Sequence, residues 1–523
     1  MNNINTNNVQ MQNAEYALHL NLLNSDTGSE NGNQQATTPI FTTPLCNEIG
    51  QYGLIAGQSS ILANENGKQD PRLFYNIAAP FSSFICGSQG SGKSHTLSCF
   101  LENCLAKSVV SKVKNPLSAL LFHYDGFIGD IKGTPCEAAY LASNPDIKVR
   151  VLCSPTNFKT IQRTYGGMNV KISQLCIDQT DLTTQRMFDL MAVNPKEELP
   201  LYLHSIGRVL RVLRMAHQIS GRPFHYGEFK KHIEALKLTT SQEGPLSQRL
   251  DTLESFMPLA QRGSGSPFPV KRGSGTDWRI KVLKPPYREL TIVDLSCPCV
   301  TAEAASSLFN ICLSLFLEEK SKIGKVVALD EAHKYMSAST GDPLTNNLLS
   351  TIRLQRHLGT RVFISTQEPT ISPALIDLCS MTIVHRFSSP EWLRVLRQHV
   401  AALYNSGSNP EDDYLVKGNV FKEIVRLQVG EALLFAPEAV IGTGSDHHHS
   451  SRLLHGDIPI ESTAGLYVER ESGDSVTRKR NGKDIETDDD IDGQALRKLG
   501  TDYIKMKVRG RLTNDGGRSV LAA

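Results

Sequence analysis

From residue 81 onward, short apolar runs alternate with stretches whose apolar residues recur at helical spacing, a pattern that predicts an α/β domain with a mainly parallel sheet. The runs at 81–86, 119–123, 149–153, 289–295, 325–329, 361–365, 381–385 and 432–435 read as strands. Several are filled with Val, Ile and Leu without polar alternation, as strands covered on both faces are. Between about 181 and 258 the period changes: Leu203, Ile206, Val209, Leu210, Leu213 and Met215 recur at helical spacing, followed by His232, Ile233 and Leu236. This predicts a helical insertion. The Gly-, Ser- and Pro-rich stretch 261–276 then reads as a flexible connection back to the sheet.

The two ends lack such patterning. Residues 1–44 are rich in Asn, Gln, Ser and Thr with one apolar patch at 16–23, too little burial to offset the entropy of ordering. After 442 the chain is again polar until Tyr503, Lys505, Lys507 and Arg509 alternate, and Asn514-Asp515-Gly516 marks a tight turn, so a small terminal hairpin is expected. The chain thus divides into a polar, largely disordered tail (1–75), the first part of the α/β core (76–180), a helical insertion with its connection (181–284), the second part of the core (285–442) and a polar C-terminal tail (443–523).

With 523 residues, 40% of them hydrophobic, the chain is long enough for more than one domain and is no collagen or wholly disordered polymer. Lys and Arg total 55 against 53 Asp and Glu, so any contact with a polyanion has to be local. The 11 cysteines include no C-x-x-C pair, which excludes a zinc ribbon and a disulfide framework and fits a reducing compartment. Cys297 and Cys299 read as two small residues after a buried strand. No apolar run reaches the roughly 18 residues a membrane span needs; the longest, 304–317, is broken by Ser306, Ser307, Asn310 and Ser314. The first residues have neither a basic start nor an apolar stretch, so an intracellular location, cytoplasm or nucleus, is expected.

Chemistry enters directly after the first run. Gly87-Ser88-Gln89-Gly90-Ser91-Gly92-Lys93-Ser94, followed by His95, matches G-x-x-x-x-G-K-[ST] with a strand before it and a helix after. Glycines let the backbone wrap so that successive N–H groups point at a phosphate, and the helix N-terminus adds its positive end. Lys93 would reach the β- and γ-phosphates of ATP, and Ser94 would offer a hydroxyl to Mg²⁺. The run at 325–329 ends in Asp330 and Glu331. Asp330 would hold Mg²⁺ through water, and Glu331 would act as general base on the attacking water.

The DEAH quartet 330–333 invites comparison with DExH-box helicases, but those place the two motifs far closer together than Lys93 and Asp330 are here, and they carry a second motor lobe. An ABC subunit would need an LSGGQ signature, which is missing. Downstream of the quartet the chain instead carries Arg353, Arg356 and Gly359, then an apolar run ending in Thr366-Gln367-Glu368-Pro369. Together with LDEAHKY this resembles the HerA/FtsK superfamily of hexameric translocating ATPases, and HerA most closely. The resemblance covers 81 to about 123 and 290 to about 437. It implies a RecA-like P-loop NTPase fold with a mainly parallel sheet, a helical insertion and disordered termini. It also implies that Gln367 is the polar sensor of the γ-phosphate and that Arg353 or Arg356 serves as a finger for the neighbouring subunit's nucleotide, the alternative being a solvated basic helix face. Asp294 falls on the family strand before the acidic motif and reads as structural. HerA proteins place a β-barrel ahead of the phosphate loop; the first 80 residues here are too polar and too short in strands to make one.

The expected activity is therefore Mg²⁺-dependent ATP hydrolysis driving a ring, hexameric by resemblance, along double-stranded DNA, with a nuclease or other protein as a possible partner. Arg262, Lys271, Arg272 and Arg279 are the basic candidates for its pore. The alternatives are an ATPase acting on protein and a nucleotide-dependent scaffold or switch. His447–His449 beside Asp446 reads as a solvated loop, and Arg478–Arg480 is offset by the nearby Asp488–Asp490.

Overall fold

The computed structural model describes residues 38–64, 69–126, 129–191, 201–221, 224–236, 238–262, 289–319, 323–336, 342–404, 420–443 and 496–514. The strands are β1 (Ile40–Phe41), β2 (Tyr52–Gln58), β3 (Arg72–Asn76), β4 (Ser82–Cys86), β5 (Ser111–Lys112), β6 (Ser118–His123), β7 (Lys148–Cys153) and β8 (Val170–Gln174). They continue with β9 (Glu289–Asp294), β10 (Lys325–Leu329), β11 (Thr360–Thr366), β12 (Met381–Val384), β13 (Glu431–Phe435), β14 (Val440–Thr443), β15 (Leu496–Lys498) and β16 (Ile504–Val508). All join one sheet in the order β15-β14-β1-β3-β2-β16-β13-β12-β4-β11-β10-β6-β9-β7-β8, with β5 pairing β2 off that path. From β12 to β8 every neighbouring pair is parallel.

Strands buried on both faces need apolar residues at every position, and the central strands have them. Phe84 and Cys86 of β4 face one layer and Ile85 the other; Leu120 and Phe122 of β6 oppose Ala119 and Leu121 in the same way. Helix α1 (Lys93–Leu105) covers the second face with Leu97, Phe100, Leu101 and Cys104. The first face is covered by the helical stretch expected from the sequence, α2 (Thr184–Met191), α3 (Leu201–Ser220), α4 (Tyr226–Glu234) and α5 (Thr240–Ser255), and by α6 (Ala302–Glu318). Within α3 the core stripe is Ile206, Val209 and Leu210, and it stops short of Met215. Val212, Met215 and Ile219 are exposed.

The ends differ most from expectation. Residues assigned to a polar tail up to 75 instead form β1, β2 and β3, which pack Phe41, Leu45 and Phe74 into a small core of their own. β1 was hidden by its two-residue length and β2 by its two glycines. The strand expected near Tyr503 exists as β16, but it makes no local hairpin. It lies antiparallel between β13 and β2 and so stitches the N-terminal strands onto the core. The turn at 514–516 runs beyond the described residues, as do 1–37 and the basic and histidine runs after 443.

Past β16 the chain crosses α1. Arg509, with only 7% of its side chain exposed, donates to Glu102 at 2.8 Å, to Asn103 Oδ1 at 3.1 Å and to the Cys99 carbonyl at 3.2 Å. Arg511 is paired with Glu137, and Thr513 donates to Glu102 from both its N–H and its hydroxyl. Buried ion pairs gain little over apolar packing, but breaking one strands a charge. Arg509→Ala should therefore destabilise the protein by about 3–5 kcal/mol, read as a shifted denaturant midpoint, and Glu102→Gln in the same chain should recover part of the loss. A shift below about 0.5 kcal/mol would mean that the arm does not hold α1.

Candidate functional site

The phosphate loop runs from the end of β4 at Cys86 to the start of α1 at Lys93. Its shape is set by the neighbours it touches. A Cβ on Gly87 would sit 2.6 Å from the His385 Cβ, and Gly92 has φ +109° with its missing Cβ only 3.1 Å from the Gly430 nitrogen, so neither position admits a side chain. The Arg386 carbonyl accepts from the Ser88 N–H and from the Ser88 hydroxyl, each at 2.8 Å, and Gly430 N–H donates to the Ser91 carbonyl at 3.3 Å. Gln89 and Gly90 are exposed at the tip, and Ser91 Oγ closes the turn on the Ser88 carbonyl at 2.7 Å.

His385, immediately after β12, underlies this loop and is fully buried. Its Nδ1 lies 3.0 Å from the Glu431 carbonyl, which can only accept, so Nδ1 carries the proton; Nε2 then accepts from the Thr96 hydroxyl at 3.0 Å. Burial holds its pKa down to about 4.

Register brings the rest of the site to the loop. Cys86 is level with Thr366 on one side and Val384 on the other, while Leu329 is level with Ile364 and Phe122. Gln367 and Asp330-Glu331 therefore emerge beside Gly87. Lys93, 3% exposed, donates from Nζ to the Ser88 carbonyl at 2.9 Å. Burial lowers its pKa, opposed by Glu331 and Asp330. Ser94 Oγ donates to Asp330 Oδ1 at 3.2 Å. Glu331 has φ +50° and ψ +46°, and no other described residue except glycine has a positive φ; such a conformation costs about 1–2 kcal/mol and clusters at functional sites. Gln367 Nε2 donates to Glu331 Oε2 at 2.9 Å, and His333 Nδ1 lies 3.3 Å from the same oxygen. Burial lowers the pKa of His333, with Glu331 opposing.

The strand order places β11 between the loop strand and the acid strand. The fold is that of a RecA-like P-loop NTPase. Gln367, directly after β11, faces Glu331, which follows the neighbouring β10.

Other expected site residues lie elsewhere. His95 engages the Arg509 carbonyl at 2.9 Å through its ring, so its side chain is tied to the C-terminal arm. Arg353 and Arg356 are exposed before β11, at the opposite end of that strand; seven residues at about 3.3 Å each put them roughly 20 Å from their own loop. Asp294 accepts from Tyr165 O–H at 2.6 Å and from Ser296 N–H at 3.0 Å, a structural role. Arg262 is corrected as a pore candidate: it is buried, and its Nε donates to the Met257 carbonyl at 2.8 Å. Lys271, Arg272 and Arg279 lie outside the described residues. Cys297 is buried with its sulfur 3.2 Å from Thr156 Oγ1, while Cys299 is exposed. Sequence reasoning missed His385, Gly430 and His123. The first two hold the loop through tertiary contacts with no local signature, and His123 is merely the last residue of an apolar run.

No family model and no curated protein matches the sequence. Among solved structures, the chain is similar to VirB4 of Thermoanaerobacter pseudethanolicus, with 13% identity over 73% of this chain and 94% of that one and a TM-score of 0.42. It is also similar to the bacterial conjugative coupling protein TrwB, with 11% identity over 73% and 90% and a TM-score of 0.40. A third is the genome packaging NTPase B204 from Sulfolobus turreted icosahedral virus 2, with 14% identity, a TM-score of 0.22, and 30% of this chain against 66% of that one, just under two thirds of its length. At those scores the fold assignment rests on the strand order and the loop geometry. No described helix is long and apolar enough to cross a membrane.

A buried histidine with a lowered pKa favours folding only while neutral. Stability from His385 is fully present above the unfolded value near 6.5 and is lost as pH falls toward about 4, by at most about 3 kcal/mol. His385→Gln should flatten the stability profile between those limits in pH-dependent denaturation. Equal slopes for the two proteins would remove His385 as the cause.

Proposed function

We propose that this chain is an ATP-hydrolysing motor of the HerA/FtsK kind that assembles as a ring and moves double-stranded DNA. The observation that carries the hydrolytic part is the 2.9 Å contact between Gln367 and Glu331, set beside a phosphate loop whose Lys93 is held on the Ser88 carbonyl and whose Ser94 donates to Asp330. A loop that only binds nucleotide does not need a carboxylate in a strained backbone conformation facing a strand-end amide.

The donor set fits ATP with Mg²⁺. Ser94 Oγ and Asp330 Oδ1 are hard oxygens 3.2 Å apart, which suits Mg²⁺, and Lys93 of the same loop ends on the Ser88 carbonyl. When bound, Mg²⁺ would neutralise charge on the phosphate oxygens. Lys93 leaves the Ser88 carbonyl for the β- and γ-phosphates, and the loop N–H groups with the start of α1 hold the remaining oxygens. Glu331 takes a proton from the attacking water at Oε2. Gln367, released from that oxygen, donates to the γ-phosphate and accepts from the water, so the state of the nucleotide is passed to β11.

Arg353 and Arg356 are too far from their own loop to assist it, and they are exposed. In a ring either one would meet the neighbour's nucleotide and stabilise charge there. The basic residues at 271, 272 and 279 are the remaining candidates for contacts with DNA phosphates.

Lys93→Ala should weaken nucleotide binding and abolish turnover. Glu331→Gln should keep binding and lower the hydrolysis rate by a factor of at least 10²; a rate near that of the unmodified protein would strip Glu331 of its role. Mixing Arg356→Ala with Glu331→Gln subunits should restore part of the activity, at junctions where an intact base faces an intact arginine. Co-assembly without any recovery would exclude Arg356 as a finger acting between subunits.

A further inference from the structure

Parallel register sets His123, the last residue of β6, level with Asp330, whose N–H donates to the neighbouring Phe122 carbonyl at 3.1 Å. Cys136, just ahead of the helical turn Glu137–Ser143, comes against the same carboxylate oxygen. His123 Nδ1 is 3.6 Å and Cys136 Sγ 3.9 Å from Asp330 Oδ2, and the three ligand atoms all lie within 4.8 Å of one another. All three residues are buried: His123 is 8% exposed, Asp330 3% and Cys136 0%. Neither ring nitrogen of His123 has a hydrogen bond of ordinary length; burial lowers its pKa, but Cys136 and Asp330 beside it outweigh that and raise it. A buried imidazole nitrogen without a hydrogen bond is costly, and a cation that takes the Nδ1 lone pair satisfies that nitrogen. Asp330 meanwhile turns its other oxygen, Oδ1, to Ser94.

We propose that His123 Nδ1, Cys136 Sγ and Asp330 Oδ2 form a buried binding site for a thiophilic divalent cation, best fitted by Zn²⁺, with Asp330 bridging this ion and the Mg²⁺ position. Tetrahedral Zn²⁺ with bonds of about 2.0–2.3 Å needs neighbouring ligand atoms about 3.3–3.7 Å apart. The measured 3.6 and 3.9 Å are within a few tenths of that range. One imidazole, one thiolate and one carboxylate leave the fourth position for water, as in open zinc sites. Binding sends two protons to solvent, that of the Cys136 thiol and that of His123 Nδ1 beside Asp330, and changes no oxidation state. The outer contacts hold the ligands in place: Cys136 N–H donates to Tyr165 Oη at 3.1 Å, and Tyr165 O–H donates to Asp294 at 2.6 Å.

Resting on the proposed hydrolytic role of Asp330, a cation on Oδ2 draws charge from that carboxylate and fixes its rotamer, so Zn²⁺ acts as an inhibitor of turnover. The binding itself is tested apart from turnover, by titrating the reduced, nucleotide-free full-length protein with Co²⁺. One equivalent should produce near-ultraviolet thiolate-to-cobalt absorption with tetrahedral visible bands, displaced by Zn²⁺. Cys136→Ser, or Cys136→Ala should the first variant melt early, loses the thiolate band, and His123→Gln weakens the apparent affinity tenfold or more. Imidazoles such as those of His447–His449 give no thiolate band. The absence of that band in the unmodified protein, or its persistence in both Cys136 variants, overturns the site. Inhibition of ATP hydrolysis by Zn²⁺, reversed by a chelator and lost in Cys136→Ser, is read separately, so the cobalt result stands or falls whatever the chain hydrolyses.

Discussion

Hydrogen bonding between parallel strands fixes their relative height, and in this protein that height decides where the chemistry lies. Cys86, Thr366 and Val384 are level across β4, β11 and β12, and Leu329 is level with Ile364. The phosphate loop, the Gln367 amide, the Asp330-Glu331 pair and His385 therefore all leave the sheet at one edge. A slip of one residue would turn each of these side chains to the opposite face. Because these strands are apolar on both faces, it is the size and shape of the residues packed on each face that resists the slip.

The second requirement is a phosphate loop held in shape by contacts from outside it. The Arg386 carbonyl, Gly430 and the neutral ring of His385 brace it from the strands on the far side. Arg509 and Thr513 brace α1 from behind. Both supports come from chain remote in sequence, so the loop is rigid because the sheet extends beyond it. The strain at Glu331 can persist for the same reason: its side chain is held by Gln367 and its backbone lies between two buried strands.

Features set by local chemistry were legible in the sequence. The loop glycines, Lys93 and the apolar run ending in Asp330 and Glu331 each carry their signal within a few residues, and the central strands were located because doubly buried strands have no polar alternation to confuse. Gln367 was legible through its resemblance to a known motif, and its place beside Glu331 is a consequence of the strand order. The N-terminal strands were not legible. Their residues, such as Gly53 and Gly57 of β2, have little strand character of their own and depend on pairing with β3 and β16, which come later in the chain. Arg262 misled because a charge reads as solvated until the fold supplies the carbonyls that bury it.

The proposed activity is tested most directly by steady-state ATP hydrolysis of the purified chain with and without double-stranded DNA across a series of salt concentrations. A DNA motor should show stimulation by DNA that fades as salt rises, since phosphate contacts release counterions. Vigorous hydrolysis indifferent to DNA at every salt concentration would contradict it.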